Sequence, residues 1–324
     1  MSTTEKAPPV AEPTLPAPIK AKQRLGDRVF SGTALGAGIV ILVVLAAVAA
    51  FLIIQSVPAF QLDTTDNHIL RGRSFWEYVW PLVFGTLWAS FMALVMAAPI
   101  SIGIALFISH YAPRRLAALL GYVIDLLAAV PSVVFGLWGG LVLAPLLQPI
   151  YVWLNENASW IPFFGGQVSS TGKTILTAAV VLAVMCIPIM TAICREVFLQ
   201  TPKLHEEAAL ALGATRWEMV RMAVLPFARG GMVSAAMLAL GRALGDTMAV
   251  TMVLSPSSVV SFLVLTATNP TTIPANIALA FPEAHDTGVN TLIATGLVLF
   301  VVTFAVNALA RWIVARRAEF SGAN

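Results

Sequence analysis

Long uncharged segments alternate with short polar ones along most of the chain. Each uncharged segment reaches or exceeds the roughly 20 residues that an α-helix needs to cross a bilayer. They cover residues 29–62, 78–109, 126–155, 174–194, 247–282 and 287–310. This pattern predicts an all-α membrane protein with about six transmembrane helices, near residues 29–55, 79–108, 116–146, 173–198, 230–254 and 289–314.

The composition agrees with this class. Of the 324 residues, 58% are hydrophobic and only 11% are charged. Soluble globular domains carry about 25% charged residues, so the chain is not a soluble enzyme or a soluble binding domain. The four histidines are scattered without the spacing of metal ligands, and no metal is expected. Membrane lipid is therefore the expected surroundings of most of the chain.

The basic residues lie mainly on one side of the predicted spans. Fifteen fall on that side, namely Lys6, Lys20, Lys22, Arg24, Arg28, Arg114, Arg115, Arg195, Lys203, Arg216, Arg221, Arg229, Arg311, Arg316 and Arg317. The other side holds only Arg71, Arg73 and Lys173. This positive-inside bias predicts that both termini are cytoplasmic. It also accounts for the net charge of +3 without a nucleic-acid partner.

The polar ends suggest a simple organisation. Residues 1–28 are predicted to be a disordered cytoplasmic tail, because the first 20 of them are rich in Pro, Ala and Thr and poor in large apolar groups. Residues 29–317 form the transmembrane domain, and residues 318–324 form a short C-terminal tail. We expect a multi-pass protein of the plasma or inner cell membrane.

A soluble, amphipathic insert at residues 199–229 interrupts the membrane pattern on the cytoplasmic side. Thr201 is predicted to cap a helix that starts at Pro202, and Gly213 is predicted to end that helix. The insert is then expected to turn sharply at the glycine.

A second helix is expected directly after this turn. Thr215 and Glu218 have the Thr-x-x-Glu spacing of a capping box, and Pro226 is predicted to end or kink the run. Two short helices that meet at a glycine would form a rigid elbow. Such an elbow between two membrane spans is suited to docking into a groove of another protein.

The chain lacks the residues of an ATP-hydrolysing or peptide-hydrolysing centre. Gly172-Lys173-Thr174 resembles the end of a phosphate-binding P-loop, but position 167 is Gln where that motif needs Gly. No nucleophile–base pair is apparent either. We therefore expect a non-catalytic chain without a cofactor of its own.

Away from the ends of the predicted spans there are three charged residues, at positions where a charge is costly and points to function. They are Asp125 in the third span and Arg242 and Asp246 in the fifth. Because Arg242 and Asp246 are four positions apart, they are predicted to share a helix face and to pair. Gly241 and Gly245 would let another helix approach closely. The alternative is a purely structural ion pair.

Proline and glycine residues cluster in the third predicted span. Pro131 and Ser132 are followed by Gly136, Gly139 and Gly140. Broken helices are tolerated in membranes only where the freed backbone groups are buried or line a wet cavity. A break at Pro131 is therefore predicted to lie beside a translocation pathway.

The elbow resembles the signature of the membrane subunits of ABC importers. The matching residues are Glu207, Ala208, Ala209, Gly213, Leu225 and Pro226. Ala223 stands where that family usually has Ile. The resemblance implies a permease of the type I ABC importer kind, whose elbow couples to a separate cytoplasmic ATPase that binds the ATP.

Other segments are similar to phosphate importer permeases of the PstC type. They are residues 131–139, 241–250, 273–278 and 296–300. Asp246 departs from the family, which typically has Glu there. The resemblance implies that the transported ion is phosphate. We expect its pathway to involve the charged residues Arg242, Asp246 and Asp125 and the break at Pro131 and Ser132. It also implies a second permease subunit, two ATPase subunits and an extracytoplasmic phosphate-binding protein as partners.

Three alternatives stay open at this point. An ABC importer permease for sulfate, molybdate or phosphonate would carry the same elbow. A secondary transporter would be expected to show two inverted repeats, which the sequence does not show. An intramembrane enzyme is disfavoured by the lack of a nucleophile–base pair.

Overall fold

The computed structural model describes residues 25–61 and 67–318. The predicted tails therefore lie largely outside the described residues, and the first helix, α1 (Leu25–Gln61), begins four positions before the predicted tail boundary. The chain separates into two compact units, and the division falls within α1 between Ala50 and Phe51. In the first unit the described side chains are mostly exposed and apolar, which suits contact with lipid.

The second unit is built almost entirely from helices. The larger ones are α2 (Phe75–Leu106), α3 (Arg114–Ala128), α5 (Ala144–Ala158), α6 (Ile175–Leu199), α9 (Leu225–Gly245) and α12 (Thr287–Ala318). Shorter ones are α4 (Ser132–Trp138), α7 (Lys203–Ala211), α8 (Arg216–Met219), α10 (Met248–Val253) and α11 (Ile273–Ala280). Wider π-helical turns occupy Phe107–Tyr111, Gly139–Leu143 and Val220–Val224, and a 3-10 turn occupies Phe281–Glu283.

Six helical segments of the described chain are long and apolar enough to cross a membrane. They are Gly26–Phe60, Phe75–Tyr111, Ser132–Ala158, Ile175–Leu199, Arg216–Gly245 and Thr287–Trp312. The predicted fold class, an all-α membrane protein with about six spans, is confirmed. Between α10 and α11, the strands β1 (Pro256–Ser257) and β2 (Asn269–Pro270) form one short parallel pair.

Small residues bring the central helices together. Ala89, Ala93 and Ala97 recur every four residues along one face of α2 and are fully buried. They share a buried cluster with Ala183 of α6 and Ala239 of α9. Alanine side chains allow helix backbones to approach closely, which is how membrane helices pack in the absence of a hydrophobic driving force. The α2–α6–α9 core therefore supports the segments discussed below.

The predicted third span is not one helix. It was expected over residues 116–146, but α3 ends at Ala128 and Pro131 has the extended conformation of a helix N-cap, with φ −60° and ψ 140°. The third candidate span starts at Ser132 instead. Proline disfavours the helical conformation of the preceding residue, which explains the break. By contrast, Pro99 lies inside the continuous helix α2, and Pro188 lies inside the continuous helix α6.

Candidate functional site: the elbow and the broken spans

The elbow starts one residue later than predicted. Pro202 occupies the N-cap position of α7 with extended backbone, and the helix begins at Lys203. The predicted role of Thr201 as the capping residue is therefore wrong. Its hydroxyl is buried and has no hydrogen-bond partner among the described residues. Because proline fixes φ near −65° and lacks an N–H, it occupies the helix entrance at no cost in hydrogen bonds.

The glycine turn of the elbow is confirmed. Gly213 has φ +85°, in the left-handed region that other residues rarely adopt. Ala214 N–H donates to the Ala209 carbonyl at 3.2 Å, and Gly213 N–H donates to the Leu210 carbonyl at 3.0 Å. This pair of hydrogen bonds is a Schellman motif, which satisfies the last carbonyls of α7. Gly213 thus ends one helix and reverses the chain toward the next.

The second half of the elbow also has the predicted cap. Glu218 N–H donates to Thr215 Oγ1 at 3.3 Å, and Thr215 N–H donates to Glu218 Oε2 at 2.7 Å. These reciprocal bonds form the capping box and fix the start of α8. Both halves of the elbow therefore have defined ends, so the 199–229 insert presents a fixed shape.

Pro226 does not end the helical run, which was one of the two outcomes predicted for it, an end or a kink. The chain continues from α8 through the π-helical turn Val220–Val224 into α9, and Pro226 lies in the first turn of α9. The wider turn directly before the proline accommodates its missing N–H, as π-bulges commonly do at irregular points in helices. The result is one long helical element that joins the elbow to the fifth candidate span.

The motif residues divide into an inner and an outer set. Ala209 and Leu225 are partly buried against an apolar cluster at the ends of α2 and α6. Glu207, Ala208, Gly213 and Pro226 are exposed.

Large apolar side chains extend this outer surface. Leu212 is 90% exposed and Trp217 is 56% exposed, and α7 has no buried residue. Large exposed apolar side chains beside a soluble turn are typical of a protein–protein contact. We refer to the exposed residues of 203–217, which exclude Glu206, Ala209 and Ala214, as the elbow surface.

The predicted ion pair between Arg242 and Asp246 is not formed. The helix α9 ends at Gly245, and Asp246 has extended backbone with φ −70° and ψ 124°. The two residues therefore do not share a helix face, and in the described chain no ion pair joins them. Instead Asp246, which is only 9% exposed, accepts a hydrogen bond from Ala249 N–H at 3.0 Å through Oδ1. The carboxylate thus caps the start of α10.

The fifth predicted span is consequently broken. It was expected over residues 230–254, but the structure divides this stretch between α9 and α10. The sequence Gly245-Asp246-Thr247 contains the signal that was missed, a glycine after a helix followed by an aspartate before the next. Gly241 and Gly245 were predicted to admit another helix. Both are exposed, and beyond their chain neighbours and the backbone of α9 no described atom lies within 4 Å of a Cβ placed at either position.

The two broken spans lie directly against each other. A Cβ placed on Gly136 of α4 would lie 2.8 Å from Ala249 Cα, and one on Gly140 would lie 2.7 Å from the Met252 carbonyl oxygen. These glycines therefore allow α4 and α10 to touch backbone to backbone. The structure thus brings the break at Pro131–Ser132 and the break at Asp246 onto neighbouring elements, a contact that the sequence alone did not reveal.

Asp125 is separate from this arrangement. It lies in α3 with an exposed side chain, and the third candidate span begins only at Ser132. The prediction that Asp125 lies within the third span is therefore wrong. Pro131 is exposed, Ser132 is partly buried at the first position of α4, and Arg242 is partly buried in the last turn of α9.

The geometry defines a multi-pass, all-helical membrane protein with an exposed elbow. A family model described as "Binding-protein-dependent transport system inner membrane component" matches residues 97–319. The chain belongs to this family of inner membrane transport components. The expected membership of the ABC importer membrane subunits, and of their PstC type, is confirmed.

Curated relatives agree over nearly the whole length. The "Phosphate transport system permease protein PstC 2" of Mycobacterium bovis is 46% identical over 318 residues, which is 94% of this chain and 96% of that protein. The "Phosphate transport system permease protein PstC" of Mesorhizobium japonicum is 37% identical over 336 residues, with both chains fully covered. Among solved structures, an inward-facing form of the MetNI methionine ABC transporter aligns with a TM-score of 0.49 and 17% identity, covering 74% of this chain and 94% of that one.

Proposed function

We propose that this chain is the transmembrane permease subunit of an ATP-driven phosphate importer. The observation that carries the proposal is the elbow, two capped helices joined by the left-handed Gly213, which carries an exposed apolar surface between two spans. The names of the PstC relatives support phosphate as the substrate. The elbow and both termini would then lie in the cytoplasm, in line with the distribution of Lys and Arg.

The elbow surface docks into a cytoplasmic ATPase. Glu207, Ala208 and Gly213 are its exposed motif residues, while Ala209 and Leu225 hold it to the bundle. ATP is bound and hydrolysed by two such ATPase subunits, so this chain is non-catalytic and carries no cofactor of its own. The acidic side chain of Glu207, on an early turn of α7, makes the contact between the elbow surface and the ATPase selective for charge.

A second permease subunit completes the pathway, and an extracytoplasmic phosphate-binding protein delivers the anion. The exposed Gly241 and Gly245 of α9 support the first of these partners. Small residues allow close helix contact, and no other helix among the described residues comes within 4 Å of a Cβ placed at either glycine. Membrane lipid covers the remaining apolar surface. The phosphate-binding protein docks on the side of the membrane opposite the elbow.

Arg242 is the residue that meets the anion. Its guanidinium carries five N–H donors in a planar fork that matches phosphate oxygens. In the described residues it has no carboxylate partner within ion-pair distance, because Asp246 is engaged with α10. Asp246, Pro131 and Ser132 form the adjoining breaks in the two spans, whereas Asp125 lies apart from them.

Transport follows from alternating access. ATP binding closes the ATPase dimer and displaces the elbow, and the continuous run from α8 into α9 carries this displacement to Gly245. The break at Asp246 then changes the angle between α9 and α10, and α4 follows because it touches α10 directly. Arg242 would thereby be exposed to one side of the membrane and then to the other.

Uptake by the reconstituted complex tests the proposal. The chain is assembled with its partner permease, ATPase and binding protein in proteoliposomes, and the initial rate of labelled phosphate uptake is measured with and without ATP. We expect ATP-dependent uptake that unlabelled phosphate suppresses and that sulfate, molybdate and phosphonate do not. Suppression by one of those anions but not by phosphate would contradict the proposed substrate, and uptake by the chain alone without ATPase would contradict the proposed class.

A further inference from the structure

The elbow helix α7 is held to the bundle by very few side chains. Only Glu206 and Ala209 of its nine residues are partly buried, and all others are exposed. They are three positions apart and so share one face of the helix. Ala209 packs against the apolar cluster that contains Ala105 and Leu106 near the end of α2. Glu206 makes the polar contact beside it.

Glu206 meets a histidine at the end of α2. His110 Nε2 lies 3.5 Å from Glu206 Oε1, and the His110 side chain is only 8% exposed. Because a carboxylate only accepts hydrogen bonds, Nε2 is the donor in this contact. The Ser109 Oγ lies 2.7 Å from Nδ1 and 2.8 Å from the Ala105 carbonyl oxygen. These contacts fix the orientation of the imidazole ring.

The position of His110 connects the elbow to the core. It lies in the π-helical turn Phe107–Tyr111 that continues α2. Earlier in the same helical run, in α2 itself, Ser101 Oγ donates to the Ile187 carbonyl of α6 at 3.3 Å. In return, Thr191 Oγ1 of α6 donates to the Ser101 carbonyl at 3.5 Å. Within the described part of the chain, His110–Glu206 is the one ion-pair contact between the elbow and a candidate span.

We propose that His110 is a positioning residue for coupling, whose contact with Glu206 transmits displacement of α7 into α2. The proposal rests on the proposed function, since it assumes that the elbow docks on an ATPase. The elbow then has two routes to the bundle. One runs along the chain through α8 into α9, and the other passes across space from Glu206 to His110 and through α2 to α6.

The number of phosphate ions transported per ATP hydrolysed measures this second route. His110→Gln and Glu206→Gln each keep the size of the side chain and remove the charged contact. In the reconstituted complex we expect each change to lower this ratio about fivefold or more, the lower end of typical coupling between sites. Retention of the ATPase during purification should stay within about twofold of the parent, because Glu206 lies on the inner face of α7. Tyr111→Phe is the matched control, since its hydroxyl makes no hydrogen bond in the described residues and the ratio should not change.

A double-mutant cycle separates a pairwise contact from two independent effects. If His110 and Glu206 act through each other, the double variant should be no worse than either single variant. The proposal would be overturned if the losses in the phosphate-to-ATP ratio multiplied in the double variant, or if both single variants kept the parental ratio. It would also be overturned if the ratio fell only as far as retention of the ATPase subunits fell. If His110→Gln fails to accumulate in the membrane, Glu206→Gln alone carries the test. A parent complex with no phosphate-dependent ATP hydrolysis would instead contradict the proposed function.

Discussion

Replacing Gly213 should uncouple transport by strain in the backbone alone. The residue has φ +85°, and a Cβ placed there has no neighbouring atom within 4 Å, so added bulk meets no steric contact. An L residue in this region costs about 1–2 kcal/mol. We expect about 1 kcal/mol for Gly213→Ala and about 2 kcal/mol for Gly213→Val, because β-branched residues tolerate positive φ worst. These values correspond to roughly 5- to 30-fold lower occupancy of the native turn.

Two measurements report on this turn. The Ala214 amide, which bonds the Ala209 carbonyl across the turn, should exchange its hydrogen faster by a similar factor of about 5 to 30. ATP hydrolysis stimulated by the loaded binding protein should also fall, and it should fall less in Gly213→Ala than in Gly213→Val. Gly230→Ala is the control, since that glycine lies within α9 with open space around it, and alanine there favours the helix by about 1 kcal/mol. If Gly213→Val showed the parental rate of amide exchange and the parental stimulation of ATP hydrolysis, strain at this turn would not be what couples it to transport.

Three further changes test the docking of the elbow on the ATPase, the phosphate pathway at Arg242, and the contact between α4 and α10. Glu207→Lys reverses an exposed charge of the elbow surface and should reduce ATPase retention and stimulated hydrolysis without affecting membrane insertion; undiminished stimulation would contradict the docking role. Arg242→Lys keeps the charge but loses the planar fork, so phosphate uptake at matched membrane abundance should fall about tenfold, and Arg242→Ala should abolish it. Near-normal uptake by Arg242→Leu combined with Asp246→Leu would argue for a structural role instead. Gly136→Val places side-chain atoms against the Ala249 backbone and should lower the thermal stability of the purified complex, whereas an unchanged unfolding temperature would contradict the contact between α4 and α10.

The elbow shows why some local features were readable in advance. The capping box of Thr215 and Glu218 and the turn at Gly213 involve partners only a few residues apart, so residue type and spacing specify them. At Pro226 the same reasoning left an end and a kink open, and the sequence carries no sign of the wider helical turn that absorbs the missing N–H. The N-cap of α7 was predicted at Thr201, one position too early, because the N-cap is Pro202.

The pathway residues show where local spacing misleads. Arg242 and Asp246 have the spacing of a helical pair, but that inference assumes an unbroken helix. Asp246 bonds a backbone amide beyond the break, an alternative that short polar side chains always offer. The glycines after Pro131 were correctly associated with a break, yet their contact partner, α10, lies more than a hundred positions further along the chain. The contact of His110 with Glu206 likewise joins positions 96 apart.

The number of spans, the class of protein and the capped turn of the elbow could all be predicted from the order of the residues. These follow from the length of apolar segments, the distribution of charge and short-range hydrogen bonding, all of which are local quantities. Three features became clear only from the folded structure: where the third and fifth spans break, which helices touch through glycine, and which charges pair. Those outcomes depend on which distant backbones approach each other, and close packing between helices is a property of surfaces in contact rather than of any one segment.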